Sequence, residues 1–503
     1  MIARNAIANA AGMVVTVGVQ IGLSFGAYRL VGAEQYGLIG FYSTAMTAAA
    51  IFDVGLGQAV VREAARRRHL PSSDPGGVRP LTFNFFLLYL VLAILLAGVA
   101  AIAAPFIATH WLHPDKLTAG EITRALMLMG LAIAIQRVRG VFQSAMDGVE
   151  QQVTTNILLI ITNLIRLALG IGALLLLEAS AFAFFAGQAL ASLIETSVFA
   201  VVAHRTLPPS DKPARFDPQI VGDAGRFALT NAVAAAVGTA LQIADSVIIS
   251  AALPLAVFGN YSLVSSMCTV IWRLTAPLLN AAYPRLSAYV REEKVDPLKR
   301  LILGYSQVST VLLATATFAL VFFGGPMLAL VSGHPQVGRD FAVVLGLLAA
   351  AYACSGLSRC LHVVQMAEGF PGISLNINLV MGAFYLPLII WLTPKYGVMV
   401  PAICLLLGNG GSFLAFVFTG FRRRIRGLAP TWLKVAVLPQ VAAVAVVYAA
   451  GWALARTAHI ENAIALTGVA VLLSAAAMVA GGFVSPDIRP EVLRRLRAVF
   501  GRA

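Results

Sequence analysis

The sequence predicts an all-α integral membrane protein of about fourteen transmembrane helices, in two pseudo-symmetric six-helix lobes followed by two C-terminal helices. Three observations carry this prediction. Of the 503 residues, 59% are hydrophobic and 12% are charged, against about 25% charged in a soluble domain. Apolar stretches long enough to cross about 30 Å of hydrocarbon recur along the chain. Lys and Arg cluster between alternate stretches.

The apolar stretches give the position of each helix in order. The first is too long for a signal-peptide core, so we interpret it as a retained span. No connection is longer than about 25 residues, which leaves no room for a separate soluble domain. The predicted spans are 6–30, 37–61, 81–108, 121–146, 154–177, 181–203, 226–252, 257–283, 301–325, 341–366, 373–393, 396–419, 434–455 and 462–484.

The distribution of positive charge predicts the orientation. Of the 36 Lys and Arg residues, 25 fall in the termini and loops of one side and 6 on the other. Positive charge is retained on the cytoplasmic side of a membrane, so both termini are expected to be cytoplasmic. The tail "RPEVLRRLRAVF" has an apolar and a basic helical face, as in helices that lie on an anionic leaflet.

An internal repeat divides the chain. An offset of 222 residues aligns spans 1 and 2 with spans 7 and 8, pairing Gln20 with Gln242 and Gly37 with Gly259. Six spans separate the copies, so the repeat is parallel, about an axis normal to the membrane. The predicted organisation is an N-terminal lobe (1–203), a cytoplasmic linker (204–225), a second lobe (226–419), helices 13 and 14 (434–484) and a basic tail (485–503).

Several functional classes are excluded. The net charge of +14 indicates topology rather than nucleic-acid binding, because the arginines fall between spans. No Gly-Lys pair exists for a Walker A loop and no His-Glu pair for a zinc-protease helix. The four cysteines lie inside spans without a CxxC pair. We therefore expect no enzyme activity, metal or cofactor.

Ionisable residues inside the spans are the strongest functional signal. Each is unfavourable by at least about 2.5–3.5 kcal/mol at a helix centre, so each is expected to line a wet cavity, form a pair or snorkel. The five arginines outnumber the three acids, and arginine binds phosphate through two donors at once. The pattern favours a transporter for a phosphate-bearing anion. The residues are Asp53, Arg137, Arg139, Arg166, Glu195, Asp245, Arg273 and Arg359, with His362 one turn from Arg359.

The position of each of these residues within its predicted span suggests a different role. Arg137 and Arg139 are about 200° apart on a helix and cannot point the same way, so one is expected to line a cavity and the other to pair or snorkel. Arg166, near mid-span, and Arg273 are interpreted as cavity residues, as is Arg359. Glu195 fits an internal counter-ion. Asp53 lies about two turns inside the cytoplasmic end, where helix-end pairing with an arginine and a gating role both stay open.

The sequence also resembles a known family. A "G-x-E-x-Y-G" turn (Gly32 to Gly37), then "D-x-G-L-G" (Asp53 to Gly57) before a basic loop, is similar to the opening of the polysaccharide-biosynthesis (Wzx-type) flippases of the MOP superfamily. Asp245 and Tyr261, followed by "AAYPRLSAY", resemble the second half. The likeness is strongest over residues 1–150 and 220–290.

The resemblance implies a two-lobed, MATE-like transporter that moves a polyprenyl-pyrophosphate-linked oligosaccharide, such as an O-antigen or exopolysaccharide unit, to the outer leaflet through a cationic central cavity. The five arginines would hold the pyrophosphate. Gating or polar cavity roles would fall to Asp53, Asp245, Gln20, Gln242, Glu195 and His362. Implied partners are the substrate, membrane lipids and the pathway's polymerase and glycosyltransferases, with a monomer expected and no nucleic acid. Arg166→Ala or Arg273→Ala is expected to abolish surface polysaccharide.

Three alternatives remain. A MATE-like multidrug antiporter shares the fold, but a site for organic cations favours acids and aromatics over arginines. A peptidoglycan lipid II flippase handles the same lipid pyrophosphate, so charge does not separate it from the first hypothesis. A membrane-embedded polymerase or ligase calls for a long outer loop, and the predicted outer loops are short.

Overall fold

The computed structural model describes residues 2–71, 74, 77–211, 215–369, 372–419, 425, 427–490 and 493–494, with the side chains at 2–14, 52–54, 219–221, 223–235, 237 and 373–375 left out. The described residues form helices and no strands. The helices are α1 (Ile2–Arg67), α2 (Val78–Phe106), α3 (Ala119–Gly148), α4 (Gln152–Leu176), α5 (Ala181–Thr206), α6 (Pro218–Ala252), α7 (Leu255–Arg273), α8 (Ala276–Arg291), α9 (Val295–Ser332), α10 (Pro335–Ala367), α11 (Gly372–Tyr396), α12 (Met399–Thr419), α13 (Leu428–Trp432), α14 (Leu438–Thr457) and α15 (Ala463–Phe483).

The all-α membrane fold is confirmed. Among the described residues, 11 stretches are long and apolar enough to cross a membrane, or up to 12 with the bent α1. That helix contains the two predicted spans 6–30 and 37–61, and α6 contains the predicted span 226–252. The count of fourteen stays a prediction. The chain is a multi-pass membrane protein.

The predicted connection between spans 1 and 2 is a single residue of non-helical backbone. Gly32 has φ 76° and ψ 175°, inside a helix that otherwise runs from Ile2 to Arg67. A positive φ is readily adopted by glycine alone. Just after it, Glu34 accepts hydrogen bonds from the backbone N–H groups of Asp115, Lys116 and Leu117 at 2.7, 2.9 and 3.2 Å. The "G-x-E" part of the motif thus turns α1 and fixes the α2–α3 loop.

The internal repeat has a structural counterpart within the first 263 residues. A Cβ on Gly37 would lie 2.5 Å from the carbonyl oxygen of Leu255, and a Cβ on Gly259 would fall on the carbonyl oxygen of Ala33. Ala33 and Leu255 are themselves 222 positions apart, as are the two glycines. The contacts are therefore reciprocal, as at a two-fold interface. Only glycine permits this approach of α1 and α7.

Two predicted spans end elsewhere than expected. The span predicted at 257–283 is interrupted at Leu274 and Thr275, between α7 and α8. Pro277 follows in the first turn of α8, and because it has no N–H it cannot donate a helical hydrogen bond to the last turn of α7. The span predicted to end at 325 continues to Ser332, because Pro326 lies inside α9 without ending it.

The residues pack into two compact units, Met1–Leu263 and Val264–Ala503. In the first, the aromatic side chains of Phe85, Tyr89 and Phe199 lie in a hydrophobic cluster. In the second, Phe323 and Tyr448 occupy the same kind of position. The lobe boundaries inferred from the repeat stay a prediction. Most of the tail after Glu491 lies outside the described residues.

Candidate functional site

A buried charge network occupies the interior of the first unit. Glu195 on α5 pairs through Oε2 with Nη2 of Arg166 on α4, and its Oε1 lies 3.3 Å from Nε of Arg139 on α3. Thr162 donates to the same Oε1 at 3.3 Å. Arg166 is 8% exposed and Glu195 is 4% exposed. One carboxylate therefore holds two guanidinium groups and joins three helices.

Neutral acceptors take up further N–H groups of this network. The Nη1 of Arg166 donates to Gln188 at 3.2 Å and to the hydroxyl of Tyr42 at 3.4 Å. The Nη1 of Arg139 donates to Gln143 at 2.7 Å, and its guanidinium lies 5.2 Å from the ring centroid of Phe199. These arginines thus direct their donors at the protein itself.

Arg137 enters the same region from the opposite side of α3. It is 9% exposed, and its Nη2 lies 3.9 Å from Sδ of Met46 on α1. Tyr42, also on α1, interacts electrostatically with both Arg137 and Arg166. Residues two apart on a helix are about 200° apart, which explains why Arg137 faces α1 and Arg139 faces α5.

The second unit holds a different arrangement of cations. Arg359 on α10 lies 4.5 Å above the ring of Trp272, the penultimate residue of α7. Arg273 interacts electrostatically with Tyr352 on α10, and Arg359 with His362. All five side chains are half-buried. Among the described residues, no carboxylate forms an ion pair with Arg359. Arg359 therefore lies against an aromatic ring and near a histidine, and Arg273 interacts with a tyrosine of the helix that carries Arg359.

Asp245 is buried and hydrogen-bonded. It is 5% exposed and accepts a 2.6 Å hydrogen bond from the hydroxyl of Tyr261, which is fully buried. The two residues that the resemblance singles out in the second half are thus bonded to each other. A gating role for Asp245 stays a prediction.

The remaining predicted polar residues differ in how far they are exposed. Gln20 is half-buried and Gln242 is exposed. The side chain of Asp53 lies outside the described residues, so its two interpretations both stay open. Within the described residues, no group of three or more His, Cys, Asp and Glu could hold a metal ion.

The neutral and aromatic partners of the arginines were not predicted from the sequence. Gln188, Ser192 and Glu195 recur at helical spacing on α5, and all three are buried. This polar stripe could have indicated that Gln188 and Glu195 face the same partner, which is Arg166. Trp272 precedes Arg273 directly in the sequence. Tyr42 and Tyr352 carry no signal, because only tertiary packing brings them to the arginines.

An apolar groove of about 590 Å³ runs along α14 and α15. Small side chains line most of it, among them Ala443, Ala476 and Ala480, together with Phe483. Neighbouring large side chains are exposed, including Leu472 at 73%. The groove is accessible from the apolar outer surface of these helices.

Comparison with known proteins agrees with this architecture. The fold is similar to that of a lipid II flippase MurJ in an inward closed conformation, with a TM-score of 0.71, 11% identity and coverage of 95% of this chain and 98% of that one. An inward-facing multidrug resistance MATE family transporter of the MOP superfamily gives a TM-score of 0.63 at 14% identity, over 84% of this chain and all of that one. No curated protein sequence matches the chain.

A third solved structure is a MOP superfamily transporter from Pyrococcus furiosus, with a TM-score of 0.57, 15% identity and coverage of 85% of this chain and 96% of that one. At these identities the likeness establishes the fold alone. The sequence profile of the polysaccharide biosynthesis proteins matches residues 2–290, more than half of the chain. The protein is a member of the polysaccharide biosynthesis protein family.

Proposed function

We propose that this protein is a flippase that moves a polyprenyl-pyrophosphate-linked oligosaccharide, a repeat unit of a surface polysaccharide such as O-antigen or exopolysaccharide, from the inner to the outer leaflet of the bacterial inner membrane by alternating access. The observation that carries the proposal is the half-buried cluster of Arg273, Arg359 and His362 inside membrane-spanning helices. Family membership supports the polysaccharide pathway.

The chemistry of this cluster suits a pyrophosphate. A guanidinium is planar, always charged and able to bind two phosphate oxygens at once. The ring of Trp272 holds the guanidinium of Arg359 from one face and leaves the N–H groups at its edge able to donate to a ligand. Aromatic support therefore orients the cation without neutralising it, as a carboxylate would.

The lipid part of the substrate calls for an apolar surface. The groove along α14 and α15, about 590 Å³ and lined by alanines, suits a flexible isoprenoid chain that stays in contact with the bilayer. Small side chains admit close packing of such a chain. The oligosaccharide would be received by polar side chains, of which Gln20 and Gln242 stay candidates.

The fold is shared with multidrug transporters, and charge favours the flippase. An organic cation would be repelled by Arg273 and Arg359, whereas a pyrophosphate would be attracted. A lipid II flippase remains a second candidate because MurJ has the same fold over 95% of this chain and the two substrates share the pyrophosphate.

The test is leaflet-resolved flipping in liposomes. Purified protein is reconstituted with fluorescent undecaprenyl-pyrophosphate carrying a short saccharide, and dithionite quenching reports the fraction of probe in the outer leaflet. We expect wild-type protein to move this probe, and Arg359→Ala to lose the activity while Arg339→Ala, an exposed arginine of the same helix, keeps it. Transport of an organic cation instead, or equal flipping by both variants, would overturn the proposal. Preference for a probe carrying a muropeptide would favour the lipid II reading.

A further inference from the structure

The first unit contains a cavity whose lining includes none of the residues of the network around Glu195. It is a groove of about 420 Å³ between α2, α3 and α5. Phe83 and Phe86 on α2, Phe142 on α3 and Ala200 on α5 form its apolar wall. The rings of Phe86 and Phe142 are 5.7 Å apart. The groove is thus lined by aromatic side chains, with the basic residues Arg79 and His204 also in its lining.

The end of the groove is basic. Arg79, at the first turn of α2, and His204, in the last turn of α5, both line it. The Nη2 of Arg79 donates to the carbonyl oxygens of His204 and Leu207 at 2.8 and 3.3 Å. Its Nε is buried and makes no hydrogen bond within the described part of the chain. The guanidinium is therefore anchored through Nη2 at the lining of the groove, where its positive charge attracts an anion.

The apolar wall continues onto the outer surface of the unit. Phe83, Phe86, Leu90 and Ile94 recur at helical spacing on α2 and share one face. Leu90 is 38% exposed and Ile94 is 64% exposed. On α5, Val201 beside the groove is 51% exposed. Such exposed aliphatic side chains on a membrane-spanning helix contact lipid tails.

We propose that this groove is a binding site for an anionic phospholipid of the cytoplasmic leaflet, with its phosphate at Arg79 and His204 and one acyl chain along the phenylalanines. The loops at this end, 62–80 and 204–226, carry nine Lys and Arg residues and belong to the side predicted to be cytoplasmic. Basic pockets between helices on that side recognise anionic headgroups. The proposal does not depend on which substrate is transported.

The test is native mass spectrometry of the delipidated full-length protein, titrated with phosphatidylglycerol or phosphatidylethanolamine of identical acyl chains. We expect wild-type protein to prefer phosphatidylglycerol. Arg79→Ala should weaken phosphatidylglycerol binding about fivefold, the effect of one basic contact near a charged surface. Ala200→Trp keeps the charge and fills the groove, so it should weaken the binding of both lipids. Arg124→Ala, an exposed arginine at the opposite end of the unit, is the matched control and should bind as wild type.

The outcomes separate the alternatives. Equal binding of the two lipids by wild type, or wild-type binding by both Arg79→Ala and Ala200→Trp, overturns the proposal. Displacement of bound phosphatidylglycerol by an equimolar amount of undecaprenyl phosphate also overturns it, since the groove would then be a site for the isoprenoid chain. If Arg79→Ala does not fold, Arg79→Lys replaces it; Lys lacks the planar fork and is expected to weaken phosphatidylglycerol binding in the same direction.

Discussion

The two compact units accommodate arginines inside membrane spans in different ways. In the first, Arg139 and Arg166 share the carboxylate of Glu195 and are held by further protein acceptors. In the second, Arg359 lies against Trp272, and Arg273 interacts with Tyr352. The residue type is the same and the unfavourable insertion energy is similar. Arg139 and Arg166 have a carboxylate partner, whereas Arg359 has an aromatic ring as its partner.

The type of partner determines which arginines can bind a ligand. An arginine in a buried ion pair gives its donors to the protein, and removing its partner leaves an uncompensated charge. A guanidinium on an aromatic face keeps both its charge and its edge donors. We infer that the network around Glu195 holds helices together, and that Arg273 and Arg359 bind substrate.

The largest expected effect concerns the carboxylate. Glu195→Gln removes the negative charge shared by Arg139 and Arg166 and should destabilise the protein by about 3–5 kcal/mol, because two buried cations lose their partner. Thermal unfolding of the purified protein measures it. Glu63→Gln is the matched control: it pairs with Arg66 and Arg67 one turn away on the same helix, and such pairs within a helix contribute about 0.3–0.5 kcal/mol. Equal stability of both variants would contradict a structural role for Glu195.

The next largest effect concerns the two arginines proposed to bind substrate. Arg359→Ala and Arg273→Ala should reduce flipping about tenfold or more, since a charged hydrogen bond to a phosphate contributes about 1.5–3 kcal/mol, while the melting temperature changes little. Arg→Lys at either position should restore part of the activity, because Lys keeps the charge but lacks the fork. Initial flipping rates in liposomes measure both. A large loss of stability with no specific loss of flipping would reverse the assignment of the two units.

A smaller effect is expected at the edge of the first network. Tyr42→Phe removes the hydroxyl that accepts from Arg166 and should lower stability by about 1 kcal/mol, with flipping unchanged per folded molecule. Tyr283→Phe, at a side chain that is 41% exposed, is the control. Reduced flipping by Tyr42→Phe at normal stability would show that the network takes part in transport.

The smallest effect concerns the aromatic support itself. Trp272→Leu removes the ring under Arg359 and should raise the apparent KM for the lipid-linked probe about two- to fivefold, since an exposed cation–π contact contributes about 0.5–1 kcal/mol. The maximal rate should change little. Trp391→Leu removes a contact of the same length, 4.5 Å, with Lys395 at an exposed position and should leave the KM as it is.

Much of the fold could be predicted from the sequence because span length and hydropathy are local properties. The predicted 121–146 and 181–203 became Ala119–Gly148 and Ala181–Thr206. The interruption at Leu274 and the continuation through Pro326 could not be predicted, because tertiary packing decides whether a proline ends a membrane helix.

The sequence indicated which charged residues belong to the candidate site but not which residues they contact. Intramembrane Arg166, Glu195 and Arg359 stand out because each is unfavourable there. Their pairing depends on which helix faces meet, and no local pattern in α4 specifies Glu195 on α5. The repeat offset was the exception, since Gly37 and Gly259 form reciprocal contacts at the spacing of 222 residues that the sequence shows.

We infer that Arg139 and Arg166, which pair with Glu195, are structural. We infer that Arg359, which lies against Trp272, binds substrate. The most direct measurement compares flipping by two variants in the same liposome assay, normalised to folded protein. In the first, Arg139, Arg166 and Glu195 are all replaced by Met, since apolar residues of similar volume can replace a buried ion cluster without loss of stability. In the second, Arg359 is replaced by Ala. We expect the triple variant to flip the probe at nearly the wild-type rate and Arg359→Ala to flip it about tenfold more slowly. A folded triple variant without flipping, beside an active Arg359→Ala, would contradict it.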